Sequence, residues 1–76
     1  MLRRRLLVRL SNSYEAVIKL LLFAKQGRLS LREAHLKTEN EEISAEIVVE
    51  GPSDKINWFM QKANGSPYIR ECRSID

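Results

Sequence analysis

From Ile43 to Val49 the chain reads Ile-Ser-Ala-Glu-Ile-Val-Val, and Glu50-Gly51-Pro52 closes the stretch. Ile43, Ala45, Ile47 and Val49 stand two apart, so an extended backbone puts them on one face and puts Ser44, Glu46 and Val48 on the other. This is a strand with one buried side. A sheet built from such strands must be covered on that side, and the best helical apolar patterns of the chain flank this stretch, one before it and one after.

Upstream, Arg3 to Ser11 has Leu6, Val8 and Leu10 alternating with Arg5, Leu7 and Arg9. That is a first strand, with one apolar and one more basic face. Ser11-Asn12-Ser13 offers capping oxygens, so a helix should begin near Tyr14, with Glu15 favoured in its first turn. Tyr14, Val17, Ile18, Leu21, Leu22 and Ala24 or Lys25 approximate the helical spacing, and Leu20 and Phe23 widen the apolar arc. The expectation is a largely buried helix stopped at Gly27. From Leu29 to Lys37 the alternation changes parity between Leu31 and Ala34, which predicts an edge strand with a bulge near Arg32 or Glu33. Thr38-Glu39-Asn40-Glu41-Glu42 reads as a five-residue hairpin connection into the Ile43 strand.

Beyond it, Gly51 or Ser53 should cap a second helix that carries Pro52 in its first turn. Ile56, Phe59, Met60 and Ala63 form its inner face, Trp58 lies at its flank, and Asn64-Gly65 ends it. Tyr68 to Ile75, poor in apolar residues, is predicted as an edge strand. The order βαββαβ defines an α+β, ferredoxin-like domain over residues 1–76. Four antiparallel strands lie in the order 4-1-3-2 with two helices on one face.

Composition narrows the function classes. With 76 residues the core is small, and a partner surface is an expected source of further burial. One cysteine, Cys72, allows no internal disulfide and no cysteine-based zinc or redox site, which fits a reducing cytoplasm. Arg9 interrupts the apolar run after Met1 too early for a signal peptide, and no run is long enough to span a bilayer. The net charge of +3 is mild and owes much to Arg3, Arg4, Arg5 and Arg9.

No catalytic set emerges. His35 has no nucleophile or carboxylate at a meaningful spacing and reads as a solvated or interfacial residue. Cys72 lies between Glu71 and Arg73 and reads as a packing residue. Glu39, Glu41 and Glu42 lack the glycine and ligand spacing of a calcium loop. No metal and no cofactor is expected. Nucleic-acid binding through Arg3, Arg4, Arg5 and Arg9 is the alternative reading. However, the open face of the central strands carries no aromatic ring for stacking, and Glu46 sits among the arginines, as a cross-strand partner for Arg5 or Arg9.

Ile43 to Val49 with Pro52 following, and Leu22-Phe23-Ala24-Lys25-Gln26-Gly27, resemble the third strand and the end of the first helix of the ACT domain family. Within that family they are most similar to the short regulatory subunits of acetolactate synthase. The resemblance implies a non-catalytic regulatory subunit that forms a homodimer, binds a small ligand such as an amino acid, and modulates a large catalytic enzyme subunit, here of branched-chain amino-acid synthesis. It places the ligand between the loop Ser11, Asn12, Ser13 and Tyr14 and, from a neighbouring copy, Leu29, Ser30 and Leu31. The chain departs from the family at Tyr14, where a glycine commonly opens the helix and where a phenol ring is large enough to fill the pocket.

Overall fold

The alternation of Ile43 to Val49 is realised in the interior of the sheet. In the computed structural model, which describes residues 1–75, that strand is β3 (Glu42–Gly51). It is preceded by β1 (Leu2–Ser11), α1 (Tyr14–Gln26) and β2 (Ser30–Glu39) and followed by α2 (Ser53–Asn64) and β4 (Ile69–Ser74). All pairings are antiparallel, in the order β2-β3-β1-β4. The central strands are therefore the two with the cleanest period of two. Their inner faces, Leu6, Val8 and Leu10 with Ala45, Ile47 and Val49, join Leu20, Phe23, Ile56 and Phe59 of the helices in one core.

The bulge falls where the parity change puts it. Leu31 pairs with Val49 and Ala34 with Ile47, and the register shifts between Leu31 and Glu33, so Arg32 is the extra residue. This returns Leu31, Ala34 and Leu36 to the helix side. All ten residues of β2 are nevertheless exposed, because the strand lies at the margin of the helical layer.

Four expectations are corrected. The buried stripe of α1 is Ala16, Leu20, Phe23 and Ala24, not the stripe from Tyr14 to Leu22, and Tyr14 and Ile18 remain 85% and 61% exposed. Both stripes satisfy the helical spacing, and contact with the sheet selects the one carrying two alanines, which lets the helix approach closely. The hairpin loop is Asn40-Glu41 rather than five residues, since Glu39 pairs with Glu42 and Thr38 with Ile43. Positive φ at both loop residues (50° and 63°) matches the twist of a tight hairpin. The cap of α2 is Pro52, in extended backbone and without a side-chain bond, instead of Gly51 or Ser53. Finally, Val48 points to the open face yet is buried, on a central strand with Arg5 and Glu33 as its cross-strand partners.

Two glycines matter through close approach. A Cβ on Gly51 would lie 2.6 Å from Leu29 Cδ2, and one on Gly27 would lie 3.1 Å from the Trp58 ring. Gly27 itself is right-handed at the end of α1, and Arg28 takes the left-handed conformation with φ 57°. The Leu29 N–H donates to the Ala24 carbonyl and the Arg28 N–H to that of Lys25, both at 3.0 Å, completing a Schellman closure.

Candidate functional site

The loop between β1 and α1 is built by short-range hydrogen bonds. Ser13, extended at φ −152° and ψ 154°, accepts at Oγ from the Ala16 N–H at 3.2 Å. Its own N–H donates to the Ser11 carbonyl at 2.8 Å, and the Ser11 N–H donates to the Tyr68 carbonyl at 2.9 Å. The first N–H groups of α1, at Tyr14 and Glu15, thus sit at the open end of the helix dipole. Asn12 is exposed, and the Tyr14 side chain stands out in solvent rather than over the loop.

Leu29, Ser30 and Leu31 lie elsewhere. Leu29 is a core residue under Gly51, Ser30 is exposed, and Leu31 is exposed on the helix side of the sheet. Ser30 is level with Arg3 through Glu50, whereas Ser11 is level with Glu39 through Glu42. Eight residues of β1 separate those levels, about 26 Å of strand. Within one chain the two groups occupy opposite ends of the sheet, and the structure does not bring them together.

The open face of the sheet carries a charge lattice. Arg5 donates to Glu46 at 2.9 Å; Arg9 pairs with Glu71 at 3.2 Å and Glu42 at 3.7 Å; Arg3 pairs with Glu50 at 3.4 Å. Arg32 makes the closest contact with Glu50, 2.8 Å from Nη2 to Oε1. Its hydrogen bond is the largest cause that holds the Glu50 carboxyl below the ordinary carboxylate value; desolvation, next in size, opposes it, and the charges of Arg32 and Arg3 add to the lowering. Three of the four arginines singled out in the sequence therefore already face carboxylates, and Arg4 lies on the helix side of β1, opposite Val49. His35 is exposed, with Nε2 3.6 Å from Glu33 Oε1. Cys72 is buried, and burial, with Glu71 adding to it, pushes its thiol up to about 11. Among the described residues no group of three or more metal-ligating side chains is assembled, and no helix is long and apolar enough to cross a membrane.

Two further surfaces went unread in the sequence. The first is a groove of about 700 Å³ between the helices, floored by Phe23 and Tyr68 and rimmed by Lys19 and Lys62. Lys19 Nζ lies 5.9 Å from the centre of the Phe23 ring. The second is the outward stripe of α1. Because Lys19, Leu22 and Gln26 face α2 across the groove, the helical rotation turns Tyr14, Val17 and Leu21 away from α2 and over β2. Together with Ile18 and with Leu31 and Leu36 of β2 they form an apolar margin along the edge of the molecule. The signal for it was the unbroken run Leu20-Leu21-Leu22-Phe23, more apolar surface than one buried stripe uses.

This is the fold of an ACT domain. No protein-family model and no curated protein matches the sequence. Among solved structures, the chain superposes on the acetolactate synthase small subunit from Thermotoga maritima with a TM-score of 0.83 at 12% identity, covering 100% of this chain and 48% of that one. The chain thus spans about half the length of that subunit. It superposes on the ACT domain from GTP pyrophosphokinase of Chlorobium tepidum with a TM-score of 0.80 at 8% identity, covering 96% of each. A homoserine dehydrogenase from Thiobacillus denitrificans gives 0.74 at 10% identity, covering 97% of this chain and 17% of the enzyme. The resemblance lies in the fold, since identities this low carry no site residues across.

Proposed function

We propose that this chain is a non-catalytic regulatory module that dimerises through β2 and modulates a separate enzyme. The observation that carries this reading is the edge of β2. It is a ten-residue strand, exposed throughout, with Leu31 and Leu36 on it and Tyr14, Ile18 and Leu21 overhanging it. Free strand-edge groups beside an apolar margin are what a second copy can use, through backbone pairing below and side-chain burial above. A twofold pairing of β2 with its copy is antiparallel, so the start of one β2 lies beside the end of the other. The partner's Leu29, Ser30 and Leu31 then approach the same end of the sheet as Ser11, Asn12, Ser13 and Tyr14. The offset along the strands found within one chain is removed in the pair, which leaves three strand spacings, about 14 Å, across the sheet.

In this reading a small carboxylate ligand, an amino acid in the first instance, sits at the helix opening against the N–H groups of Tyr14 and Glu15. The enzyme partner is one of amino-acid synthesis, with the large subunit of acetolactate synthase the first candidate, on the strength of the fold shared with that enzyme's small subunit. The nucleic-acid alternative draws no support from the arginines, since phosphate binding would have to displace the pairs with Glu50, Glu46, Glu71 and Glu42.

Light scattering across the micromolar range tests the dimer, and a monomer throughout removes this reading. Thermal shift against a panel of amino acids, on wild type and Tyr14→Gly, tests the ligand. A stabilising hit for the wild type supports a sensor, and a hit for Tyr14→Gly alone means that the ring closes the site. If neither responds while the protein is dimeric, the sensor role is dropped and the docking role is kept.

A further inference from the structure

The register of the pair can be read from the edge itself. Glu39 and Glu42 flank the two-residue loop, and in an antiparallel ladder hydrogen-bonded and non-hydrogen-bonded pairs alternate from such a closure. Glu39, Lys37, His35 and Glu33 therefore spend their N–H and C=O groups on β3, whereas Thr38, Leu36 and Ala34 turn theirs to the open edge. The same count continued through β3 and β1 directs the backbone of Cys72 away from β1. The Asn64 amide meets it there, accepting from its N–H and donating to its carbonyl, both at 3.0 Å. The phase of the ladder is thus checked at the opposite side of the sheet.

We infer that two copies pair about a twofold axis at His35, so that Glu33 of each chain faces the partner's Lys37 and the two imidazoles face one another. This rests on the reading above that the chain dimerises through β2, and it adds the register. A twofold axis perpendicular to the sheet keeps each side chain on its own face, so a residue can only oppose one of the same parity, and the axis must pass through a residue. Each choice sets different charges opposite one another. At Leu36 the axis sets Glu33 against the partner's Glu39 and His35 against the partner's Lys37, twice each. At Lys37 it brings the two ammonium groups together. At Ala34 it drives the partner's bulge at Arg32 into line with Leu36.

The axis at His35 sets Glu33 against the partner's Lys37 twice, with no two carboxylates and no two ammonium groups opposed. The Leu36 axis would add one more hydrogen-bonded pair, but exposed edge groups already bond to water, so that gain is small, whereas directly opposed like charges are destabilising. With the axis at His35, Ala34 exchanges backbone bonds with the partner's Leu36 and sets its methyl against that larger side chain on the helix side. The bulge at Arg32 falls outside the paired segment, opposite the partner's Thr38. The charged neighbours of His35 within its own chain are Glu33 and Lys37 along β2 and Glu46 on β3.

Cross-linking and charge reversal test the register on the full chain. His35→Cys should give a disulfide-linked dimer on mild oxidation, because directly opposed residues of a non-hydrogen-bonded pair have their Cβ atoms at bridging distance. Leu36→Cys and Lys37→Cys should not, and the buried Cys72 leaves little background. Glu33→Lys and Lys37→Glu should each weaken self-association about tenfold. Mixing the two variants should restore it as a heterodimer, and so should combining both changes in one chain. All these positions are exposed, and circular dichroism checks that each variant is folded. A dimer that cross-links through Leu36→Cys, or that ignores both charge reversals, overturns the register and leaves the dimer standing. A wild type that stays monomeric overturns both.

Discussion

Asn64, at the last turn of α2, holds Cys72 of β4 by both backbone groups: its amide oxygen accepts from the Cys72 N–H and its amide nitrogen donates to the Cys72 carbonyl, each at 3.0 Å. A side chain here takes the place of a neighbouring strand. It also ties the end of α2 to the sheet.

Asn64→Ala should cost about 1 to 2 kcal/mol, because it leaves a donor and an acceptor unpaired at a partly buried position. Urea denaturation measures it. Asn64→Asp, which keeps the acceptor and replaces the donor with a second oxygen facing a carbonyl, should recover only part of the loss. Equal stability of wild type and Asn64→Ala would mean that water substitutes fully for the amide.

The two apolar stripes of the fold should separate in a stability assay. Ile47→Ala, at a central position 1% exposed, should lose about 2 to 5 kcal/mol. Ile18→Ser, on the outward stripe of α1, should change the denaturation of dilute protein by less than about 0.5 kcal/mol while weakening self-association. A large loss of monomer stability for Ile18→Ser would show that this stripe is part of the core.

Arg28→Gly should stabilise the domain by about 0.5 to 1 kcal/mol, since Arg28 carries a left-handed backbone in the closure of α1 and glycine adopts it without the Cβ clash. In a domain of this size that corresponds to a rise of a few degrees in Tm. A fall would mean that the arginine side chain contributes more than its backbone costs.

Cys72 makes stability depend on alkaline pH. Burial raises its folded-state value from about 9 to about 11, so the unfolded chain ionises first. The stability it contributes is complete below about pH 9 and is lost as pH rises toward 11. Between pH 8 and 10 the wild type should lose on the order of 1 kcal/mol more than Cys72→Ala does. Parallel pH profiles for the two proteins would contradict this.

How much of this was legible in the sequence depends on the range of the interaction that decides it. Strand faces are set by a period of two, so Leu6, Val8, Leu10, Ala45, Ile47 and Val49 could be assigned to the core from spacing alone, and the bulge near Arg32 followed from a parity change. The phase of α1 could not be assigned this way, because Tyr14-Ile18-Leu21 and Ala16-Leu20-Phe23 fit a helix equally well and contact with the sheet decides between them. The hairpin was hidden for a local reason: Asn40-Glu41 lacks the glycine that marks a tight loop, and Glu41 adopts positive φ nonetheless. At the candidate site, the capping role of Ser13 was visible in its residue type. The strand length between Ser11 and the level of Ser30 becomes visible only once the register of β1, β3 and β2 is known.

Closing one side of the sheet with Asn64 also sets how large an assembly can grow. A sheet that accepts strands on both sides polymerises, because each addition exposes a fresh acceptor at the far end. Here the outer side of β4 is interrupted at Cys72 by the chain's own amide, whereas β2 presents an open edge at Ala34, Leu36 and Thr38. In the proposed dimer the union of two molecules would consume both β2 edges and give an eight-stranded sheet whose outer strands are both β4. In that arrangement growth would stop at two by valence, without needing a low concentration or a chaperone to stop it. In a variant that frees the backbone of Cys72 the fold would stay the same while the stoichiometry became open-ended, and the change would be seen first as turbidity rather than as unfolding.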